Sequence, residues 1–301
     1  MNPSGLFHPL VTPFTPEGVL DERGLASNVE KYLKTPLTGL VVLGSNGEQP
    51  QLEDAECDRA IEVVRNLVPK GRPLMAGIGR ESTRGTIAAA KRAGAAGVDA
   101  VMARTPAFYK NMMTSDAFIR HFTEVADASP VPVLLYNVTF FTGVTLQADA
   151  VAALSQHPNI IGLKESGNDM QLLGDYLAGA KEGFTVLCGS ATSYFTALTL
   201  GAHGAVLALS GIVPDKCAEL GALVRAGRID EARALQRTLT PLGRAIGTAY
   251  GVPALKAALS LLGFAAGPPR PPLRPAPPAV VEALRAELIK LGLLEMAHAS
   301  K

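Results

Sequence analysis

The stretch Ala93-Gly94-Ala95-Ala96-Gly97-Val98-Asp99-Ala100-Val101-Met102-Ala103-Arg104-Thr105 decides the fold. A helix ends on glycine, turns tightly and feeds an apolar run. The same device returns in Leu200-Gly201-Ala202-His203-Gly204-Ala205. An apolar run with no polar alternation fits a strand buried on both faces, as in parallel sheets covered by helices. Outward from this unit, similar runs occur at residues 6–10, 39–44, 73–79, 131–137, 160–164, 185–189 and 205–209. Helical patterns between them start on capping residues: Asp21 before 22–34, Ser82 before 83–93 and Ser115 before 116–126. Eight such units predict an α/β fold, a closed (β/α)8 TIM barrel over residues 1–226. The rival is an open doubly wound sheet, which a glycine-rich phosphate fingerprint after the first strand would favour. The chain there reads Pro9-Leu10-Val11-Thr12-Pro13-Phe14 and has none.

Residues 227–301 read as a C-terminal helical extension, with helices expected over 229–248, 252–262 and 279–293. Between the last two, residues 267–279 hold so many prolines that they must run extended, as a stiff connector laid across the surface.

Bulk properties narrow the function. The 301 residues are 48% hydrophobic and 18% charged, with a net charge of +1. Such a chain gives no case for disorder, for nucleic acid or for an anionic membrane as partner. No apolar run is long enough to span a bilayer. The opening Met1-Asn2-Pro3-Ser4-Gly5 has no secretory pattern. Cys57, Cys188 and Cys217 are far apart and odd in number, so neither a disulfide framework nor a zinc site is expected. These features predict a cytoplasmic protein with no metal.

In a barrel the polar residues that matter lie at the C-terminal ends of the strands. Lys164 stands out because Ile160-Ile161-Gly162-Leu163 delivers it toward a closed interior. Counted in twos, Ile160, Gly162, Lys164 and Ser166 share one side of the strand. Burial disfavours the charged form of an amine, and the neutral amine is what attacks a carbonyl. The plain alternative is a strand-end lysine paired with an acid such as Glu165. Tyr136 closes the neighbouring strand and offers a phenol that can shuttle protons; otherwise it is a core tyrosine. Gly44-Ser45-Asn46-Gly47 is a short turn suited to a carboxylate, or a plain turn before a helix. Gly189 and Ser190 end the seventh strand, where barrels often bind phosphate.

Together these motifs carry a resemblance. Gly44-Ser45-Asn46-Gly47-Glu48, Tyr136-Asn137-Val138 with Thr142-Gly143, and Gly162-Leu163-Lys164-Glu165-Ser166 resemble the dihydrodipicolinate synthase / N-acetylneuraminate lyase family of class I aldolases, over nearly the whole chain. The resemblance implies Lys164 as the Schiff-base lysine and Tyr136 as the proton shuttle. It also implies Ser45 and Asn46 as the carboxylate holders, while Ser166, Gly189 and Ser190 are expected as further substrate contacts from their place at the ends of the sixth and seventh strands. It implies no cofactor beyond the covalent imine, a small 2-oxo acid as substrate and a homotetramer built as a dimer of dimers. Tyr109 matches a tyrosine that reaches across the dimer interface into the neighbouring site.

Within the family the loop variant is most similar to 4-hydroxy-2-oxoglutarate aldolase, which implies cleavage to pyruvate and glyoxylate. The alternatives are dihydrodipicolinate synthase, a sugar-acid aldolase or dehydratase, and a non-catalytic binding homologue. Synthases carry an arginine for the carboxylate of aspartate semialdehyde, where this chain has Thr139-Phe140-Phe141, which disfavours that activity. Of the remaining polar residues, Glu48 is expected to hold the loop, His157 to serve a turn and Cys188 to be a buried hydrophobe.

Overall fold

A computed structural model describes residues 3–295. Met1 and Asn2 of the opening stretch and residues 296–301 of the extension, His298 included, lie outside the described residues. Eight strands, β1 (Gly5–Pro9), β2 (Gly39–Val42), β3 (Leu74–Gly77), β4 (Ala100–Arg104), β5 (Val133–Asn137), β6 (Ile160–Glu165), β7 (Thr185–Cys188) and β8 (Gly204–Val206), pair in chain order and in parallel. β8 closes on β1, with Gly5 opposite Gly204. That close pairing requires glycine, because a Cβ on Gly204 would lie 2.0 Å from the Gly5 carbonyl oxygen. The barrel is the predicted one.

Alternation along the strands separates two apolar layers. Phe7, Val41, Met75, Met102, Leu134, Leu187 and Val206 fill the barrel interior. Leu40, Leu74, Val101, Val133, Leu163 and Val186 face the surrounding helices. Asp21 and Ser82 cap their helices as expected, accepting from the amides of Gly24 and Gly85. Thr114, not Ser115, caps the next helix (Ser115–Ala128) and accepts from Ala117 N at 3.3 Å. Either hydroxyl precedes the same helical run, so residue type alone does not choose between them.

Two further expectations need correction. The register between β5 and β6 shifts: Val133 pairs with Ile160, but Leu134 pairs with Gly162. The extra residue puts Ile160 in the outer layer and Ile161 against the interior one. Ile160 therefore does not share a side with Gly162 and Lys164. The helix expected over 229–248 is α-helical only for Ile229–Arg244 and widens to a π turn over Ala245–Ala249. A helix Gly251–Leu261 follows, then residues 262–277 without regular structure, then the helix Pro278–Lys290. Among the described residues no helix is long and apolar enough to cross a membrane.

Candidate active site

The register of β5 on β6 sets Tyr136 beside Lys164, both aimed at the interior. Lys164 is 4% exposed, and its Nζ lies 4.1 Å from the centre of the Tyr136 ring. Among the described residues it makes no ion pair, so the alternative of pairing with Glu165 is not what the chain does. Glu165, one residue on, points to the other side of the strand. It accepts from Asn137 Nδ2 at 2.6 Å and from the Gly167 amide. Burial raises its carboxyl above the usual range, and these two donors oppose the rise. Asn137 Oδ1 in turn accepts from Leu146 N at 2.9 Å, which ties the loop after β5 to the back of the site.

The turn after β2 brings the third group. Leu43 and Glu48 both hold positive φ, 60° and 53°, on either side of Gly44-Ser45-Asn46-Gly47. Such backbone costs roughly 1–2 kcal/mol at a residue with a Cβ, so the surroundings must impose it. Gly77 makes room, since its Cβ would stand 1.9 Å from the Leu43 carbonyl oxygen. The bent turn places Ser45 Oγ 3.1 Å from Tyr136 Oη. Tyr136 thus stands between the two, its hydroxyl against Ser45 and its ring against the Lys164 amine.

Ser45, Asn46, Tyr136, Lys164, Ser166, Gly189 and Ser190 all line one cavity at the C-terminal end of the barrel. Gly189 has no room for a side chain: its Cβ would meet Ser166 Oγ at 1.9 Å and Lys164 Cε at 2.9 Å. Ser166 Oγ is buried and has no partner among the described residues, a donor and acceptor held ready beside the lysine. Beyond it, Ser190 Oγ donates to Asn168 Oδ1 at 3.1 Å and lies 3.0 Å from Thr192 Oγ1. Cys188 lies behind this group. Its thiol donates to the Ser190 carbonyl, and burial pushes it up to about 12, so it stays protonated.

Tyr109 is not brought to the cavity. It stands 71% exposed on the loop after β4, edge-on to Phe108. His157 serves its turn, accepting from Asn159 N, and lies 3.0 Å from Asp127. The missed contributors come from the C-terminal helices: Ile246, Gly247, Thr248 and Val252 form one wall of the cavity. The available signal was the spacing of Gly243, Gly247 and Gly251. Gly243 and Gly247 lie in the helix end and π turn that border the cavity, and Gly251, with φ 61°, marks the break before the next helix. Gly243 packs against Ala191, while Gly247 has nothing near it.

Comparison with known proteins places the whole chain in one family. The model of the dihydrodipicolinate synthetase family matches residues 2–290. A 4-hydroxy-tetrahydrodipicolinate synthase of Methanopyrus kandleri is 34% identical over 292 residues, 96% of this chain and 97% of its own. One from an Exiguobacterium species is 37% identical over 276 residues, 90% and 92% of the two chains. Among solved structures, the dihydrodipicolinate synthase of Thermotoga maritima superposes with a TM-score of 0.93 at 29% identity, covering 98% of this chain and all of its own. A prophage protein of the same family from E. coli K12, solved in complex with pyruvate, gives 0.91 at 30% identity, with 98% and 100% covered. The two curated relatives are named as synthases, not as the 4-hydroxy-2-oxoglutarate aldolase put first on the loop variant. The chain belongs to the dihydrodipicolinate synthetase family, and it is a lyase of the Schiff-base aldolase class.

Proposed function

We propose that the protein makes or breaks a carbon–carbon bond next to a 2-oxo acid through a pyruvyl imine on Lys164. The observation that carries this is a buried amine with no carboxylate partner among the described residues, held against a tyrosine whose hydroxyl contacts Ser45. The Lys164 amine adds to C2 of pyruvate and water leaves, giving an iminium. Loss of a C3 proton gives an enamine, whose C3 attacks the aldehyde carbon of the second substrate while the aldehyde oxygen takes a proton. Water then releases the product. Run backwards, the same steps cleave the C3–C4 bond, with the iminium accepting the electron pair. Tyr136 relays the protons, and Ser45 and Asn46 with their backbone amides hold the carboxylate.

The names of the relatives favour aspartate semialdehyde as the aldehyde, and hence 4-hydroxy-tetrahydrodipicolinate synthesis. A second reading, cleavage of 4-hydroxy-2-oxoglutarate to pyruvate and glyoxylate, has one observation in its favour. Among the described residues Lys164 is the only charged side chain lining the cavity, Phe141 is part of its lining, and Ser190, Thr192 and Thr248 add hydroxyls to an otherwise apolar wall. That lining suits a neutral or hydroxylated aldehyde better than one with a second carboxylate. Exposed Phe108, Tyr109 and Met112 supply an apolar surface for a neighbouring copy, in keeping with a homotetramer in which Tyr109 serves the adjacent site. Three buried free thiols are in keeping with the cytoplasm.

Pyruvate and borohydride test the chemistry, with peptide mapping and then aldehydes offered in turn, aspartate semialdehyde and glyoxylate first. A reduced pyruvyl adduct on Lys164, absent from Lys164→Ala along with turnover, is the expected result. Turnover retained by Lys164→Ala excludes the imine at this residue.

A further inference from the structure

The second buried lysine of the chain lies outside the chemistry described above. Lys256, on the helix Gly251–Leu261, meets Glu48 at 2.6 Å, and both side chains are 1% exposed. The same carboxylate accepts from the backbone N of Arg270 at 2.8 Å, and Lys256 donates to the Pro268 carbonyl at 2.9 Å. The Phe14 ring carries Lys256 Nζ at 4.4 Å and the Arg270 guanidinium at 4.2 Å from its centre. Arg270 also grips Glu56 and the Gln51 carbonyl. The proline-rich strap and the helix before it thus converge on one residue, and that residue holds a positive φ at the end of the Ser45–Asn46 turn.

We propose that Glu48 and Lys256 are a positioning pair for the carboxylate subsite, through which residues 251–270 hold the Gly44-Ser45-Asn46-Gly47 turn in its binding shape. This rests on the assignment of that turn to the 2-oxo acid carboxylate. A free turn would relax the left-handed Glu48 backbone, and Ser45 lies only three residues away. Movement there carries the Ser45 hydroxyl off Tyr136 Oη and spoils a contact set that small displacements degrade. Stability alone is a poor reason for the pair, because two buried charges gain little over two apolar side chains of similar size. The same segment also supplies Val252 to the cavity wall, so it both borders the site and fixes its turn.

The test uses the full chain and measures the pyruvate concentration that half-saturates borohydride trapping on Lys164, beside thermal melting. Glu48→Gln with Lys256→Met removes the pair without leaving a lone charge. The expected result is a folded protein whose half-saturating pyruvate rises about 10- to 100-fold, with trapping at saturation unchanged. Lys256→Arg, which keeps a donor for Glu48, falls closer to wild type. A folded double variant that traps pyruvate within about twofold of the wild-type concentration overturns the proposal. If the double variant does not fold, Arg270→Met loosens the strap alone. A rise of about threefold supports the proposal there, and none overturns it. Ser45→Ala separates the two ideas. A raised value there beside a wild-type value in the double variant overturns only the pairing. An unchanged value in Ser45→Ala overturns the carboxylate assignment and the pairing with it.

Discussion

Lys164 and Lys256 are both buried lysines set in apolar surroundings, and each rests over an aromatic ring, Tyr136 for one and Phe14 for the other. They differ in one respect. Lys256 has a carboxylate at 2.6 Å, while Lys164 has none among the described residues. Burial lowers the Lys256 ammonium below its ordinary value, and Glu48 opposes that shift. A paired lysine inside a protein stays put as an ion; an unpaired one at a cavity is free to add to a carbonyl. The difference teaches that burial and aromatic contact do not identify the nucleophile. The missing partner does.

The comparison breaks most readily through stability. Lys256→Met alone strands the Glu48 carboxylate and is expected to cost about 3–5 kcal/mol, read from urea unfolding midpoints at constant slope. A loss below about 1 kcal/mol would mean that the two lysines are alike. Gly189→Ala comes next: its Cβ pushes on Ser166 Oγ and Lys164 Cε, and turnover should fall about 10- to 100-fold with melting little changed. Wild-type turnover in that variant would show that Lys164 has slack.

A third kind of buried base sharpens the contrast. Neither His8 nor His121 has a carboxylate in hydrogen-bond contact among the described residues; burial lowers them to about 3 and about 4, with the charge of Glu81 opposing the shift at His121. The unfolded chain takes up these protons near pH 6.5 and the native chain only much later, so stability falls as pH drops below about 6.5. By pH 5 each histidine should have removed about 2 kcal/mol, and His121→Gln should remove its share of the slope in a pH series of urea midpoints. The smallest effect is expected of Lys164→Met. Replacing an unpaired amine by a thioether of similar length should change stability by under about 1 kcal/mol, on the stabilising side.

The floor of the site was legible because it depends on short-range pattern. The apolar runs ending in Tyr136-Asn137 and Lys164-Glu165 fix which residues reach the strand ends, and adjacency of β5 and β6 follows from barrel order. What escaped depends on distance in sequence or on a single residue of register. The shift at Ile160 and Ile161 is invisible to counting in twos, because every member of the run is apolar or glycine. The wall formed by Ile246, Gly247, Thr248 and Val252 required knowing where a helix folds back. Nothing in the sequence around Lys256 singles it out. Only its placement against Glu48, more than 200 residues earlier, gives it a meaning.

The lock between Glu48 and the strap also bears on how such barrels can be recombined. Its two halves are encoded at opposite ends of the chain, so any crossover between residue 48 and residue 256 draws them from different parents. The eight-strand barrel tolerates such an exchange wherever the interior layers match. The lock tolerates it only when both parents carry an acid at the first position and a base at the second. Shuffled libraries of this fold should therefore be designed to inherit the two positions together.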